Sequence, residues 1–172
     1  GGANYEAGGC KVADNKIVAA WGGDTDGLIH VRVGTVASGL ITFGTLVTTG
    51  TYAGQNWGGE VTCCFDAASG KVVIVNLRWD GVGGASGKHK IVARTGTVSG
   101  TSITLGAEYD VVPYQQQYHG KVSLVYDENA QRTVLYYKWM DGSIMKLYAK
   151  AATITGTNIA FAAAKLVEEP EG

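Results

Sequence analysis

The amino-acid sequence predicts an all-β protein made of three similar four-stranded antiparallel units. Three observations lead there. Apolar residues alternate at period two through the apolar segments, as half-buried strands require, and no stretch carries the 3.6-residue period of an amphipathic helix. Glycine is abundant at 26 residues and proline scarce at 2, a balance that suits many tight turns. One pattern also recurs three times, as "VGTVASGLITFG" from Val33, "TGTVSGTSITLG" from Thr95 and "AATITGTNIAFA" from Ala151.

Each copy reads as a strand end, a small turn and an alternating strand. Ser38-Gly39, Ser99-Gly100 and Thr155-Gly156 mark the turn, where glycine permits the positive φ of a tight hairpin. Upstream, "EVTCCFDAASGKVVIVNLRW" resembles "KVSLVYDENAQRTVLYYKW", and "CKVADNKIVAAW" is a shortened version. In this alignment Asp14, Asp66 and Asp127 correspond, as do Lys16, Lys71 and Arg132. The aspartates are expected to accept hydrogen bonds from their own turns.

Each unit is therefore four strands, which in the third unit run over 121–126, 133–139, 144–153 and 158–167. Residues 1–172 form a single repeat domain, with units at about 5–48, 59–112 and 119–167. Four short antiparallel strands in each repeat of about fifty residues is the pattern of a β-propeller blade. A β-sandwich or an irregular β assembly is the alternative packing. A propeller ring takes roughly four to eight blades, so three units leave two blade faces open. Two chains completing one ring, a longer chain, or a trimeric fibre would each cover them.

Bulk properties exclude several classes. A formal net charge of −1 argues against general nucleic-acid binding, which draws its affinity from phosphate neutralisation. No apolar run is long enough for membrane insertion, and the opening "GGANYEAGG" lacks the basic and apolar regions of a signal peptide. The cysteines, Cys10, Cys63 and Cys64, are odd in number and have no metal-ligand spacing. They read as small buried hydrophobes in a protein made in a reducing compartment. There is no G-x-S-x-G, HExxH or P-loop motif, His30, His89 and His119 are scattered, and arginines are few. No catalytic residue, metal or cofactor is expected.

The candidate binding residues are aromatic and charged. "AWGGDTDGL", "RWDGVGGASGK" and "KWMDGSIMK" each place a Trp near an Asp-Gly at a strand end. A Trp ring stacks on the apolar face of a sugar while a carboxylate accepts from its hydroxyls. The candidates are Trp21 with Asp24 or Asp26, Trp79 with Asp80, and Trp139 with Asp141. Against this, Asp-Gly is ordinary turn chemistry, and the three Trp stand at unequal offsets from Lys16, Lys71 and Arg132. Trp57 and Tyr52 in the connector "TGTYAGQNWGG", and the connector "YQQQYHG" at 114–120, are further aromatic candidates. Arg32, Arg94 and Lys150 align, one per unit, and either face an acidic polysaccharide or form a solvated strand face.

The segments "GKVVIV" at Gly70, "RTGTVSGTSITLG" at Arg94, "VRVGTVASGLITFG" at Val31 and "VSLVYDENAQRTVLYY" at Val122 resemble the propeller-like blade repeats of bacteriophage tail-fibre and virion-associated proteins. The resemblance covers nearly the whole chain. The third unit departs from it, with Ala162 to Ala164 in place of the glycine after the last strand. The resemblance implies a non-enzymatic virion component, made in the host cytoplasm. Its role would be a tail-fibre-like module binding host surface glycan, or a structural decoration part. Its partners would be further copies of itself or other virion proteins. The alternatives are a secreted multivalent lectin whose ring is completed by oligomerisation, and a glycosidase fragment.

Overall fold

The computed structural model describes residues 7–23, 28–49, 60–79, 88–115, 121–141 and 144–168. These residues form strands and turns with no helix among them. The first unit contains β1 (Ala7–Ala13), β2 (Lys16–Gly22), β3 (Ile29–Ala37), β4 (Leu40–Phe43) and β5 (Val47–Thr48). The second contains β6 (Val61–Asp66), β7 (Lys71–Trp79), β8 (His89–Ser99), β9 (Ser102–Leu105) and β10 (Tyr109–Gln115). The third contains β11 (Val122–Asp127), β12 (Arg132–Asp141), β13 (Ile144–Thr155), β14 (Asn158–Phe161) and β15 (Lys165–Glu168).

Each unit is one antiparallel sheet with the same pairing. In the first, β1 pairs β2, β2 pairs β3, and β4 and β5 both pair β3. The fourth strand is thus a single path broken in the middle. The break is closed by one backbone bond at the same place in each unit: Gly44 to Val33, Gly106 to Thr95 and Ala162 to Ala151. The protein is three blade-like sheets in series.

Two details of the expected alignment are corrected. Cross-strand register pairs Lys16 with Ala13, Lys71 with Asp66, and Arg132 with Asp127. Asp14 therefore does not correspond to Asp66 and Asp127. The β1–β2 turn has two residues where its counterparts have four, so Asp14 falls within the turn and pairs with Lys11 at 3.1 Å. The later hairpin turns centre on Gly100-Thr101 and Gly156-Thr157, one residue beyond the expected pairs, because Ser99 pairs Ser102 and Thr155 pairs Asn158. At these turns only the glycine has positive φ, 60° and 62°. At Ser38-Gly39 both residues do, at 51° and 77°, so the first unit uses the other type of primed turn.

The sheets stack face to face, with the second in the middle. Along β2 and β12 burial alternates, whereas Val72 to Leu77 of β7 are buried without a break. Strands covered on both faces read as continuous apolar runs, and "VVIV" is one. The core accordingly has two layers. One joins Val18, Ala20, Val31 and Val33 of the first sheet to Cys63, Val72, Ile74 and Ile103 of the second. The other joins Val73, Val75, Ile91 and Ala93 of the second sheet to Leu135, Tyr137, Trp139 and Ile159 of the third. Each sheet has a front, facing the preceding unit, and a back, facing the next.

Small residues set how closely the sheets approach. A Cβ on Gly8 would stand 2.7 Å from the Thr62 Cα, and one on Gly44 would land on the Thr101 carbonyl. At the next joint Gly106 receives the Thr157 carbonyl in the same way. Glycine is required at all three positions by the adjacent backbone.

Candidate functional site

The pairing gathers the aromatic candidates at one end of the stack. β2, β7 and β12 finish there, and β3, β8 and β13 begin there. The opposite end holds the tight turns. Asp24, Asp26, Tyr52, Trp57 and Asp80 lie outside the described residues, as do the side chains of Trp79 and of 114–120.

Trp21 is half-buried on the front of the first sheet, opposite His30, and the two rings stack at 5.5 Å and 19°. The equivalent positions in the third sheet are Tyr137 and Tyr148, stacked at 5.5 Å and 22°. In the second sheet they are Asn76 and Val92. Trp21 therefore matches Tyr137, and the three Trp do not occupy one repeated position. Trp139 packs in the core between the second and third sheets.

Asp141 does not join Trp139 as a pair around an open ring. It is exposed at the end of β12 and accepts from Lys146 Nζ at 3.0 Å and from the Tyr148 hydroxyl at 3.4 Å. Lys146 is the main cause holding the Asp141 carboxyl below its ordinary range. Burial, then Tyr148, pushes Tyr137 up to about 12, which keeps its phenol protonated. Tyr148, Lys146 and Asp141 thus form a half-open cluster bearing an aromatic face, an ammonium and a carboxylate.

The three aligned cations have separate fates. Arg94 donates to the Gly106 carbonyl at 3.1 Å and pairs with Glu108 at 2.9 Å. Lys150 crosses to the second sheet and donates to the Val111 carbonyl at 2.8 Å; burial pushes its pKa down. Arg32 lies on the front of the first sheet, where its buried Nε meets no hydrogen-bond partner among the described residues.

Sequence reasoning missed the network around Glu108. This carboxylate pairs with Arg78 at 2.8 Å, Lys90 at 3.1 Å and Arg94 at 2.9 Å, and Lys90 also reaches Asp110 at 2.7 Å. Burial alone would raise the Glu108 pKa, but Lys90, Arg78 and Arg94 together hold it below the ordinary value. Glu108 sits in the break of the fourth strand, where Ala107 and Glu108 stand among repeat residues that are otherwise uncharged. That charge, in a position the other units leave apolar or small, was the available signal. All three cysteines are free thiols, and Cys63 is buried. Burial is the main cause raising Cys64 to about 11. Among the described residues no group of His, Cys, Asp and Glu is placed to hold a metal ion.

Comparison with protein-family models, curated proteins and solved structures gave no match.

Proposed function

We propose that this chain is a non-enzymatic binding module of a bacteriophage virion, contacting host surface glycan through the end of the stack that carries the stacked aromatic pairs. The observation that carries this reading is the half-open Tyr148–Lys146–Asp141 cluster. A sugar ring stacks on an aromatic face while its hydroxyls donate to a carboxylate and accept from an ammonium, and these groups stand together here. Trp21 on His30 offers a second such platform at the same end. The assignment to a virion is supported by the resemblance of the repeats to those of tail-fibre and virion-associated proteins.

The test is binding to arrayed bacterial surface polysaccharides, comparing the unmodified chain with Tyr148→Ala, Asp141→Asn and Trp21→Ala. The reading expects binding that falls at least about tenfold in Tyr148→Ala, in line with about 1–2 kcal/mol for a stacking contact. Binding untouched by all three changes, or no binding at all, would remove it.

A specific set of bonds favours a second reading, a purely structural virion part. Polar groups tie one sheet to the next: Thr133 to Asp66, the Val122 amide to Glu60 at 2.7 Å, Lys150 to Val111, and the Ala68 amide to the Tyr126 hydroxyl at 3.0 Å. Such a stack serves as a rigid spacer with no ligand at all.

A further inference from the structure

The two outer faces of the stack are built from residues whose equivalents inside it are buried. On the front of the first sheet Ile41 is 51% exposed, while its equivalents Ile103 and Ile159 are 4% and 5% exposed against the preceding sheet. Val36 and Phe43 extend the exposed apolar surface on the same face. On the back of the third sheet Tyr136 is 38% exposed, while its equivalents Ala20 and Val75 are fully buried against the next sheet. Val125 and Val167 are exposed in the same unit. Contiguous apolar surface of this kind marks an interface. The two faces lie on opposite sides of the middle sheet, so one chain does not cover its own ends.

Two observations say what covers them. First, in this protein a front face is covered by a back face at both internal joints. The back face left open among the described residues is that of the third sheet. Second, Lys150 on the front of the third sheet bonds the Val111 carbonyl of the sheet before it. Arg32 is the Lys150 equivalent on the open front. The equivalent of Val111 on the open back is Val167, followed by the exposed carboxylate of Glu168. A cation at the Lys150 position of one face thus matches an acid beside the Val111 position of the other.

We propose that two copies of this chain join head to tail, the front of the first sheet of each against the back of the third sheet of the other, closing a six-sheet ring. A heterologous contact either closes or propagates, and six blades lie within the usual range for a ring. The inference is argued apart from the glycan reading. It would cover Trp21 in the outer joint, as the second sheet covers the equivalent Tyr137, so glycan binding in the ring would rest on the Tyr148 cluster.

The test is solution mass by light scattering on a sizing column, for the unmodified chain and for Ile41→Glu and Tyr136→Glu. The expected result is twice the single-chain mass for the unmodified chain. Each substitution, made at an exposed position, should weaken the dimer about a hundredfold by placing a charge in an apolar joint. An equimolar mixture of the two variants should recover dimer, because one of its two joints then carries neither change. A monomer would overturn the proposal without recourse to any variant. Sensitivity to only one substitution would overturn it in favour of a like-with-like contact. Mass growing past two chains would overturn ring closure by two copies.

Discussion

Asp66, the last residue of β6, accepts a hydrogen bond from the Thr133 hydroxyl of the next sheet at 2.9 Å. Its other oxygen accepts from the Ser69 amide at 2.9 Å and the Ser69 hydroxyl at 2.8 Å. Asp127 holds the equivalent position in the third sheet and, among the described residues, bonds only its own turn, through the amides of Asn129 and Ala130. A residue that sequence reads as turn chemistry is, in the middle sheet, also a clamp between sheets.

Asp66 and Asp127 should therefore respond differently to the same change. Asp66→Ala leaves the buried Thr133 hydroxyl without its acceptor and should cost about 2–3 kcal/mol. Asp127→Ala removes exposed turn bonds and should cost about 1 kcal/mol or less. Urea unfolding of the two variants beside the unmodified chain checks the asymmetry. Equal losses would mean that the bond between sheets contributes nothing beyond the turn.

The Glu108 network predicts a pH dependence with a defined sign. The Glu108 pKa is lowered in the folded protein, so its contribution is present above the ordinary carboxylate value of 4.5 and is lost as pH falls through the folded value. Lys90 is raised: burial opposes this, but Asp110 and Glu108 outweigh it. Its contribution is present below its ordinary 10.5 and disappears as pH rises through the folded value. Glu108→Gln should flatten the acid limb of a plot of melting temperature against pH. At neutral pH it should cost about 2–3 kcal/mol, because three cations lose their shared partner.

Glycines at close approaches should not tolerate a methyl equally. A Cβ on Gly106 would meet the Thr157 carbonyl and stand 2.6 Å from the Thr95 hydroxyl, which itself donates to that carbonyl. A Cβ on Gly96 would meet the end of the Ile103 side chain at 2.5 Å, and the equivalent position in the third sheet is already Ala152. Backbone does not yield as a side chain does, so Gly106→Ala should destabilise by about 3 kcal/mol and Gly96→Ala by about 1 kcal/mol. Thermal melts of both variants give the comparison.

Core and exposed positions should separate cleanly in truncation. Leu135→Ala empties a fully buried site between the second and third sheets and should cost about 2–5 kcal/mol. Leu166→Ala, at a half-exposed position on β15, should stay within about 1 kcal/mol. A large effect at Leu166 would place it in a core that the three sheets do not account for.

The sequence by itself determined the fold class, the number of units and the order of strands within each. These depend on local rules. Period-two alternation gives the strands, glycine at positive φ gives the hairpins, and recurrence of "GTV…G…IT" gives the repeat.

Contacts between sheets were decided by tertiary structure alone. Arg32, Arg94 and Lys150 align in sequence, yet one bonds within its sheet, one crosses to the sheet before, and one has an Nε without a partner. Trp139 and Trp21 look alike at strand ends, yet a difference in register and the presence or absence of a sheet in front leave one in the core and the other half-exposed. What a repeated residue does depends on what stands opposite it, and in a stack of three that differs for the first, the middle and the last.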